Sequence, residues 1–466
     1  MRGAGGSSPC PGCGVEPHIL CHIIFPPHKN PSKKEANELM KYILVIGDGM
    51  ADTSLPQLAG KTPLEALALN SFDRCAGCFC GRALTVPHGL PAGSDTAILS
   101  IFGYSPKTYY TGRSVLEAAG MGVTVPDGCI SFRVNLCAVT PDEEGELVIH
   151  SHNGGNIHGV EATTLMNDLL ADAEFDRLMK DAGMEITVTD TFRHVGVMHS
   201  DAKDIGAVRF TEPHNVLEQR IGQYMPHLEK ETDDQAAVKM MQDVCALMQR
   251  SYEVLKDHPI NQKRVSEGKL PADMIWPWGA ATAMNLPSFQ EKYGHHGTVV
   301  SAVPLVWGIA GLAGLKTPHV EGANGDLDTN YEGKVACALE ALANGDDFAA
   351  VHVEAPDEMA HAGDLAKKLE AIQNVEYRVV APILSEMHKR GEDFRLLLLP
   401  DHPTLLTTRT HDGNPVPYAV YDSRYVTKTL GEGKPMPTRK FCEKEMLSEP
   451  VLMDGTDLMR VLFEQI

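Results

Sequence analysis

Three short stretches, far apart in the chain, bring together the residue types that hold divalent ions beside a nucleophile. They are Gly47-Asp48-Gly49, Gly93-Ser94-Asp95, and a late set of Asp357, His361, Asp401, His402 and His411. Asp48, Asp357 and Asp401 supply carboxylates, the three histidines imidazoles, and Ser94 a hydroxyl. Such a set suffices for two ions about 3.5–4 Å apart with a nucleophile between them, the arrangement of two-metal phosphoryl transfer. Phosphoryl transfer asks mainly for positioning and charge neutralisation. Carboxylate oxygen suits Mn²⁺ or Mg²⁺, while imidazole draws a site towards Mn²⁺ or Zn²⁺. A serine against such an ion has its pKa lowered and needs no separate base to become a nucleophile, which allows a phosphoserine intermediate. Asp357 and His361 stand at i and i+4, one face of a helix.

Taken singly, these residues have plainer readings. An Asp after a strand is usually a turn or cap residue, and Asp357 with His361 is also the pattern of a helical surface pair. Two familiar motifs are excluded. Gly60-Lys61-Thr62 lacks the glycine of a phosphate-binding loop, since Leu55 stands in its place. Gly93-Ser94 lacks the second glycine of a nucleophile elbow, since Thr96 is there. The combination, in order and in context, carries the signal.

The elements that must position these residues alternate strand and helix. Apolar runs predict buried strands at 42–46, 348–353, 394–399 and 416–421, and helical periodicity predicts helices at 63–75, 94–102 and 365–388. Such alternation implies an α/β fold, a mostly parallel sheet with helices on both faces. The metal-type residues follow strand C-termini, where open α/β sheets bind ligands. Ser94 falls at a helix N-terminus, whose positive end favours phosphate. Residues 123–292 read differently, with amphipathic strands at 131–139, 145–149, 185–189 and 191–199 and helices at 160–181 and 233–256. This predicts an inserted α+β cap domain between two catalytic segments, 40–122 and 293–466. Its Arg133, His152, Arg193 and His194 are placed to face the metal site across a cleft.

The chain has 466 residues, 43% hydrophobic and 22% charged, enough for two or three domains. A net charge of −21 argues against nucleic acid or an anionic membrane as partner. Eleven scattered cysteines suit a reducing cytoplasm. Apolar runs are strand-sized, too short for a membrane span. Residues 1–39, rich in Gly, Pro, Ser and Cys, read as a disordered tail or as sequence upstream of a start at Met40. Cys10, Cys13, Cys21 and His22 make at most half a zinc site there. No signal-peptide pattern is present.

Several longer stretches carry a resemblance. Val45-Ile-Gly-Asp-Gly-Met-Ala-Asp52, Leu90-Pro-Ala-Gly-Ser-Asp-Thr-Ala97, Tyr109-Tyr-Thr-Gly-Arg113, His352-Val-Glu-Ala-Pro-Asp-Glu358, Leu399-Pro-Asp-His-Pro-Thr404 and Arg409-Thr-His411 resemble the archaeal-type cofactor-independent phosphoglycerate mutases of the alkaline phosphatase superfamily. Leu286-Pro-Ser-Phe289 and the stretch from Leu327 to Lys334 extend the likeness, which runs from Lys41 to Tyr421. The resemblance implies an alkaline-phosphatase-like domain with a cap and two divalent ions, Mn²⁺ or Mg²⁺, with no 2,3-bisphosphoglycerate and no nucleotide. It makes Ser94 the nucleophile that takes the phosphate of 3-phosphoglycerate and returns it to the 2-hydroxyl. Asp48, Ser94, Asp401 and His402 would hold one ion, and Asp357, His361 and His411 the other. Arg113, Arg133, Arg193 and His194 would grip carboxylate and phosphate, His152 would line the substrate side, and Lys334 would support the phosphoserine.

The cap departs from the family pattern. Family members carry an Asp-His-Ser-Ala-Gly-His type of segment where this chain has Ser151-His152-Asn153-Gly154-Gly155-Asn156, and a basic residue near Thr282. These departures bear on the acceptor, and two other functions stay open. One is a related phosphotransferase or phosphatase for another small metabolite, such as a homoserine-kinase-like enzyme. The other is a non-catalytic metal-binding scaffold.

Overall fold

In the computed structural model, residues 40–435, 437 and 439–464 are described. The predicted tail and its Cys10/Cys13/Cys21/His22 half-site lie outside them. Among the described residues no helix is long and apolar enough to cross a membrane.

One sheet of seven strands organises the two outer segments. Its strands, in chain order, are β1 (Met40–Gly47), β2 (Phe79–Ala83), β3 (Gly297–Val300), β4 (Phe348–Val353), β5 (Asp393–Leu399), β6 (Val416–Asp422) and β7 (Val451–Leu452). They lie in the order β3-β4-β1-β5-β6-β2-β7. The pairs β3–β4, β4–β1, β1–β5 and β2–β7 are parallel, so four adjacent strands share one direction. β6 was expected among the parallel central strands, but it runs antiparallel to both neighbours. Residues 400–415, between β5 and β6, carry the short antiparallel pair Thr404–Leu405 and Thr410–His411 and no helix, so no helical crossover returns the chain for parallel pairing.

Strand pleating divides the core. Ile43 and Val45 of β1, Ala349 and Val351 of β4, and Leu396 and Leu398 of β5 feed one face. Tyr42, Leu44 and Ile46, Phe348 and Ala350, and Leu397 and Leu399 feed the other. Each fully buried Leu or Phe here contributes about 1.5–3 kcal/mol. Both faces being covered explains why these strands read as unbroken apolar runs.

Two predicted helices divide. Residues 63–75 form Pro63–Ala66 and Asn70–Ala76, and the 365–388 helix contains a π-turn at Val375–Val380. Pro382 explains the second, because it has no N–H to donate and its ring would strike the carbonyl four residues back.

A second sheet occupies the middle of the chain. It contains Cys129–Pro141, Leu147–Ser151, Met184–Thr187, Arg193–His199, Gln219–Arg220 and Met274–Thr282. The last was not predicted, since Pro277 and Gly279 interrupt its pattern. It pairs with one neighbour only, and an edge tolerates proline. Helices Val160–Ala171, Ala173–Ala182 and Gln235–Leu255 cover this sheet. The predicted 160–181 helix breaks at Asp172, whose side chain caps the second half by accepting from Phe175 N.

Candidate active site

β1, β4 and β5 end side by side, and each delivers metal-type residues at its C-terminal end. Asp48 follows β1 directly, Asp401 and His402 follow β5, and Asp357 and His361 ride on helix Ala355–Ala362 after β4. His411 returns on the hairpin that precedes β6. Ser94 opens helix Ser94–Ile101 and so sits at its positive end. All seven predicted residues meet in one place, as two clusters sharing a wall.

The first cluster is Asp48, Asp401 and His402, all buried, with donor atoms within 4.8 Å of one another. Asp401 Oδ1 accepts from the N–H groups of Gly49 (3.1 Å) and His402 (2.8 Å), whereas Asp401 Oδ2 has no partner among the described residues. Asp48 repeats this pattern. Its Oδ2 contacts Ser94 Oγ at 3.3 Å and His352 Nε2 at 3.0 Å, and its Oδ1 has no partner. These two orphaned oxygens are the ones nearest His402 Nε2, at 3.7 and 3.2 Å. Burial, then the neighbouring carboxylates Asp401 and Asp357, push the Asp48 pKa far up. Buried polar atoms are ordinarily satisfied, so two anionic oxygens converging on one imidazole nitrogen fit a divalent cation.

The second cluster is Asp357, His361 and His411. Asp357 lies 3.2 Å from His361 Nε2 and 3.5 Å from His411 Nε2. Burial raises its pKa, but hydrogen bonds from the two histidines outweigh this and hold the carboxyl well below its usual range. His361 is pushed up to about 9, chiefly by that hydrogen bond. His361 Nε2 and His411 Nε2 approach to 2.9 Å.

The outer contacts of these rings fix where their hydrogens lie. His361 Nδ1 meets Arg409 O at 2.9 Å, and His411 Nδ1 meets Ala92 O at 3.2 Å. A carbonyl only accepts, so each Nδ1 carries a hydrogen and each neutral ring presents a lone pair at Nε2; the hydrogen bonds to Asp357 take a second proton on Nε2, in the place a bound cation would occupy. Thr404 Oγ1 donates to Asp357 Oδ1 and faces His402 Nδ1 at 3.1 Å, so it accepts there and frees His402 Nε2 as well. Three lone pairs thus converge with three carboxylates. A proton on His361 is what this site holds when no cation is bound, and outer hydrogen bonds of this kind orient metal ligands. Gly49 allows the close approach. It sits at φ 62°, and a Cβ there would come within 2.7 Å of Asp357 Oδ1 and Thr404 Oγ1.

The predicted substrate-side residues are only partly gathered. Arg113 and Arg133 meet at Glu117, which was not predicted. Arg113 Nε lies 2.7 Å from Glu117 Oε1, and Arg133 Nε lies 2.8 Å from Oε2, at an angle too poor for a hydrogen bond. The Arg133 guanidinium lies 4.0 Å from the Trp278 ring centre, against which His214 also packs. His152 neighbours His214 and Phe192, and Arg193 lies over Phe192. The field of Arg193 reaches both Glu117 and Glu358, the residue after Asp357. His194 does not join this group. It pairs with Val134 while Arg193 pairs with Asn135, so alternation turns it to the opposite face, and burial lowers its pKa to about 4. Lys334 is fully buried behind the first cluster, donating to His352 O at 3.1 Å. The altered segment 151–156 forms a turn that Ser151 Oγ organises through Asn153 and Gly155.

Residues 76–261 match the family described as 2,3-bisphosphoglycerate-independent phosphoglycerate mutase. A probable enzyme of that name from Geobacter sulfurreducens is 42% identical over 82% of this chain and 90% of its own. One from Methanosarcina acetivorans is 41% identical over the same shares. Among solved structures, a Pyrococcus horikoshii protein superposes with a TM-score of 0.68 at 25% identity, over 92% of this chain and 99% of that one. The cofactor-independent phosphoglycerate mutase of Thermoplasma acidophilum has the same fold, with a TM-score of 0.58 at 22% identity over 91% and 99%. At this identity over this much of its length, the chain belongs to the 2,3-bisphosphoglycerate-independent phosphoglycerate mutases.

Proposed function

We propose that this enzyme interconverts 3-phosphoglycerate and 2-phosphoglycerate through a phosphoserine at Ser94. The observation that carries the reading is the pair of orphaned buried oxygens, Asp48 Oδ1 and Asp401 Oδ2, beside the Ser94 hydroxyl. Asp48, Ser94, Asp401 and His402 would hold one divalent cation, and Asp357, His361 and His411 the other. When bound, the cations supply positive charge for the transferring phosphoryl group and lower the pKa of an oxygen they contact.

Ser94 Oγ attacks phosphorus, and the bond from phosphorus to the 3-oxygen of the glycerate breaks. The serine proton has Asp48 Oδ2 in reach at 3.3 Å, whereas His402 Nε2, 3.2 Å away, would be committed to the cation. The leaving 3-oxygen takes up a proton. The glycerate then turns within the cleft, its 2-hydroxyl oxygen gives up its proton and attacks phosphorus, the bond from phosphorus to Ser94 Oγ breaks, and Oγ regains its proton from Asp48. Segment 123–292 acts as the cap that keeps water from the phosphoserine, since its hydrolysis would make the enzyme a phosphatase. Arg133, Arg113 and Arg193 grip the glycerate carboxylate during reorientation, guanidinium being the natural bidentate partner of that group.

A coupled assay of 3-phosphoglycerate conversion, with Mn²⁺ present and 2,3-bisphosphoglycerate absent, tests this together with recovery of a Ser94 phosphopeptide after acid quench. Turnover with a labelled Ser94 is the expected result. A second reading, transfer to another small acceptor, rests on the altered turn at 151–156. A requirement for ATP would favour it, and net release of phosphate would mark a phosphatase.

A further inference from the structure

His352 is a histidine inside the otherwise apolar strand β4, fully buried and one strand away from Asp48. It belongs to neither cluster of metal-type residues. Its Nε2 lies 3.0 Å from Asp48 Oδ2, and its Nδ1 lies 3.1 Å from Ser301 Oγ. The parallel register sets Ile46 against His352, two residues before Asp48, so the imidazole lies along the strand end that carries the carboxylate.

The hydrogens in this chain follow from chemistry. The Ser301 hydroxyl already accepts from Val303 N at 3.1 Å, which leaves its own hydrogen to be donated, and His352 Nδ1 is in reach. With Nδ1 accepting, a neutral imidazole carries its hydrogen on Nε2, which then donates to the carboxylate oxygen. This tautomer is the reverse of the one shared by His361, His402 and His411, whose Nε2 atoms present lone pairs. Lys334 Nζ, bonded to the carbonyl of His352, fixes the backbone at the same residue.

We infer that His352 is a positioning residue which orients Asp48, holding Oδ2 so that Oδ1 alone is presented to a cation. The chain Val303 N–H to Ser301 Oγ to His352 to Asp48 fixes the carboxylate plane from a buried, rigid strand. Without it, Asp48 can rotate, and the first cluster loses a donor from its set position. This role rests on the reading of Asp48, Asp401 and His402 as a metal site, and outer hydrogen bonds of this type are worth about 10- to 100-fold in metal affinity.

The test is Mn²⁺ binding to the full chain, titrated by electron paramagnetic resonance and calorimetry, in wild type, His352→Leu, His352→Gln and Ser301→Ala. Wild type is expected to bind two ions. His352→Leu should keep the affinity for one and weaken the other about 10- to 100-fold. His352→Gln, which can still donate from its amide, should recover most of that loss, and Ser301→Ala should show a smaller weakening in a protein certain to lack no ring. Fewer than two ions in wild type would overturn the metal-site reading itself. Two ions in wild type, with unchanged affinities in folded His352→Leu and Ser301→Ala, would overturn the positioning role alone. Loss of a directly coordinated nitrogen from the Mn²⁺ spectrum of His352→Leu would overturn it too, making His352 a ligand. Should His352→Leu fail to fold, the comparison of His352→Gln with Ser301→Ala decides: affinity unchanged in both would reject the inference.

Discussion

The strand-end site and the arginine cluster around Glu117 are built on opposite electrostatic plans. At the strand ends, carboxylate oxygens and imidazole nitrogens converge, and two of the oxygens have no hydrogen-bond partner among the described residues. Around Glu117, cations are gathered first. Arg113 and Arg133 share Glu117, and Arg133 stacks on Trp278. Counting Glu117 against the three arginines leaves a surplus of positive charge. On the proposed function, divalent cations complete the first site and the substrate carboxylate completes the second. Electrostatic precision is also unequal. The strand-end residues sit at fixed positions on rigid elements, whereas Arg193 and half-exposed Arg113 have room to adapt. On the proposed function, chemistry belongs on the first and recognition of the substrate on the second.

That division is broken most severely at Ser94. Ser94→Ala should lower turnover by about 10⁴-fold or more, as expected for loss of a nucleophile, while leaving two Mn²⁺ bound with slightly reduced affinity at one site. Residual turnover above a hundredth of wild type in the coupled assay would show that phosphate passes without the serine.

Removal of metal should be nearly as severe for activity and should also cost stability. Exhaustive chelation leaves Asp48 facing Asp401 in a buried site, and each ion bound at 100 times its Kd adds about 2.7 kcal/mol to the folded state. Dialysis against EDTA should therefore abolish turnover and lower the melting temperature by several degrees, both restored by Mn²⁺. An unchanged melting temperature would mean that the orphaned oxygens need no ion.

On the cap side the expected loss is smaller and of another kind. Arg133→Ala removes one charge-assisted contact worth about 1.5–3 kcal/mol, so kcat/KM should fall about 10- to 100-fold with Mn²⁺ affinity unchanged. Trp278→Ala, which frees the guanidinium and also leaves buried Asn135 Oδ1 without its donor, should raise KM several-fold, about 1 kcal/mol of it from the lost cation–π contact, and should lower the melting temperature as well. If either substitution shifted metal binding as strongly as KM, the two sites would not be separable in the way argued above.

How these regions read from sequence differs for a physical reason. Asp48, Asp401-His402 and Asp357…His361 lie within a few residues of strong apolar runs, so local sequence both forms the strand and places the ligand. The cap cluster depends on pairing between segments over a hundred residues apart, as Arg133 with Trp278, and no local period records that. Trp278 was further hidden by Pro277 and Gly279 beside it in an edge strand. His352 sits within a run that reads as core, and its partner Ser301 lies 51 residues away. His194 illustrates the converse: adjacent to Arg193 in sequence, it is separated from it by strand alternation. The direction of β6 is likewise a matter of the connection's path rather than of its own residues.

Both regions also bury carboxylates, and the contrast extends to what neutralises them. Asp273, at one end of the Met274–Thr282 strand, is 3% exposed and accepts a hydrogen bond from Val139 N at 2.7 Å. It has no imidazole cluster around it, and burial, only partly offset by that hydrogen bond, pushes its pKa up to about 7. An unfolded Asp titrates near about 3.9. Between these values the native state holds the proton and the unfolded state does not, so stability falls as pH rises through the window, by at most about 1.4 kcal/mol per pH unit. Asp273→Asn keeps an oxygen for Val139 N and removes the titration. Urea unfolding between pH 5 and pH 8 should then show a shallower decline in the variant, which becomes the more stable protein, relative to wild type, as pH rises. Parallel curves for the two proteins would mean that Asp273 is ionised in the fold, and the cap would then have to stabilise a buried anion as the strand-end site does.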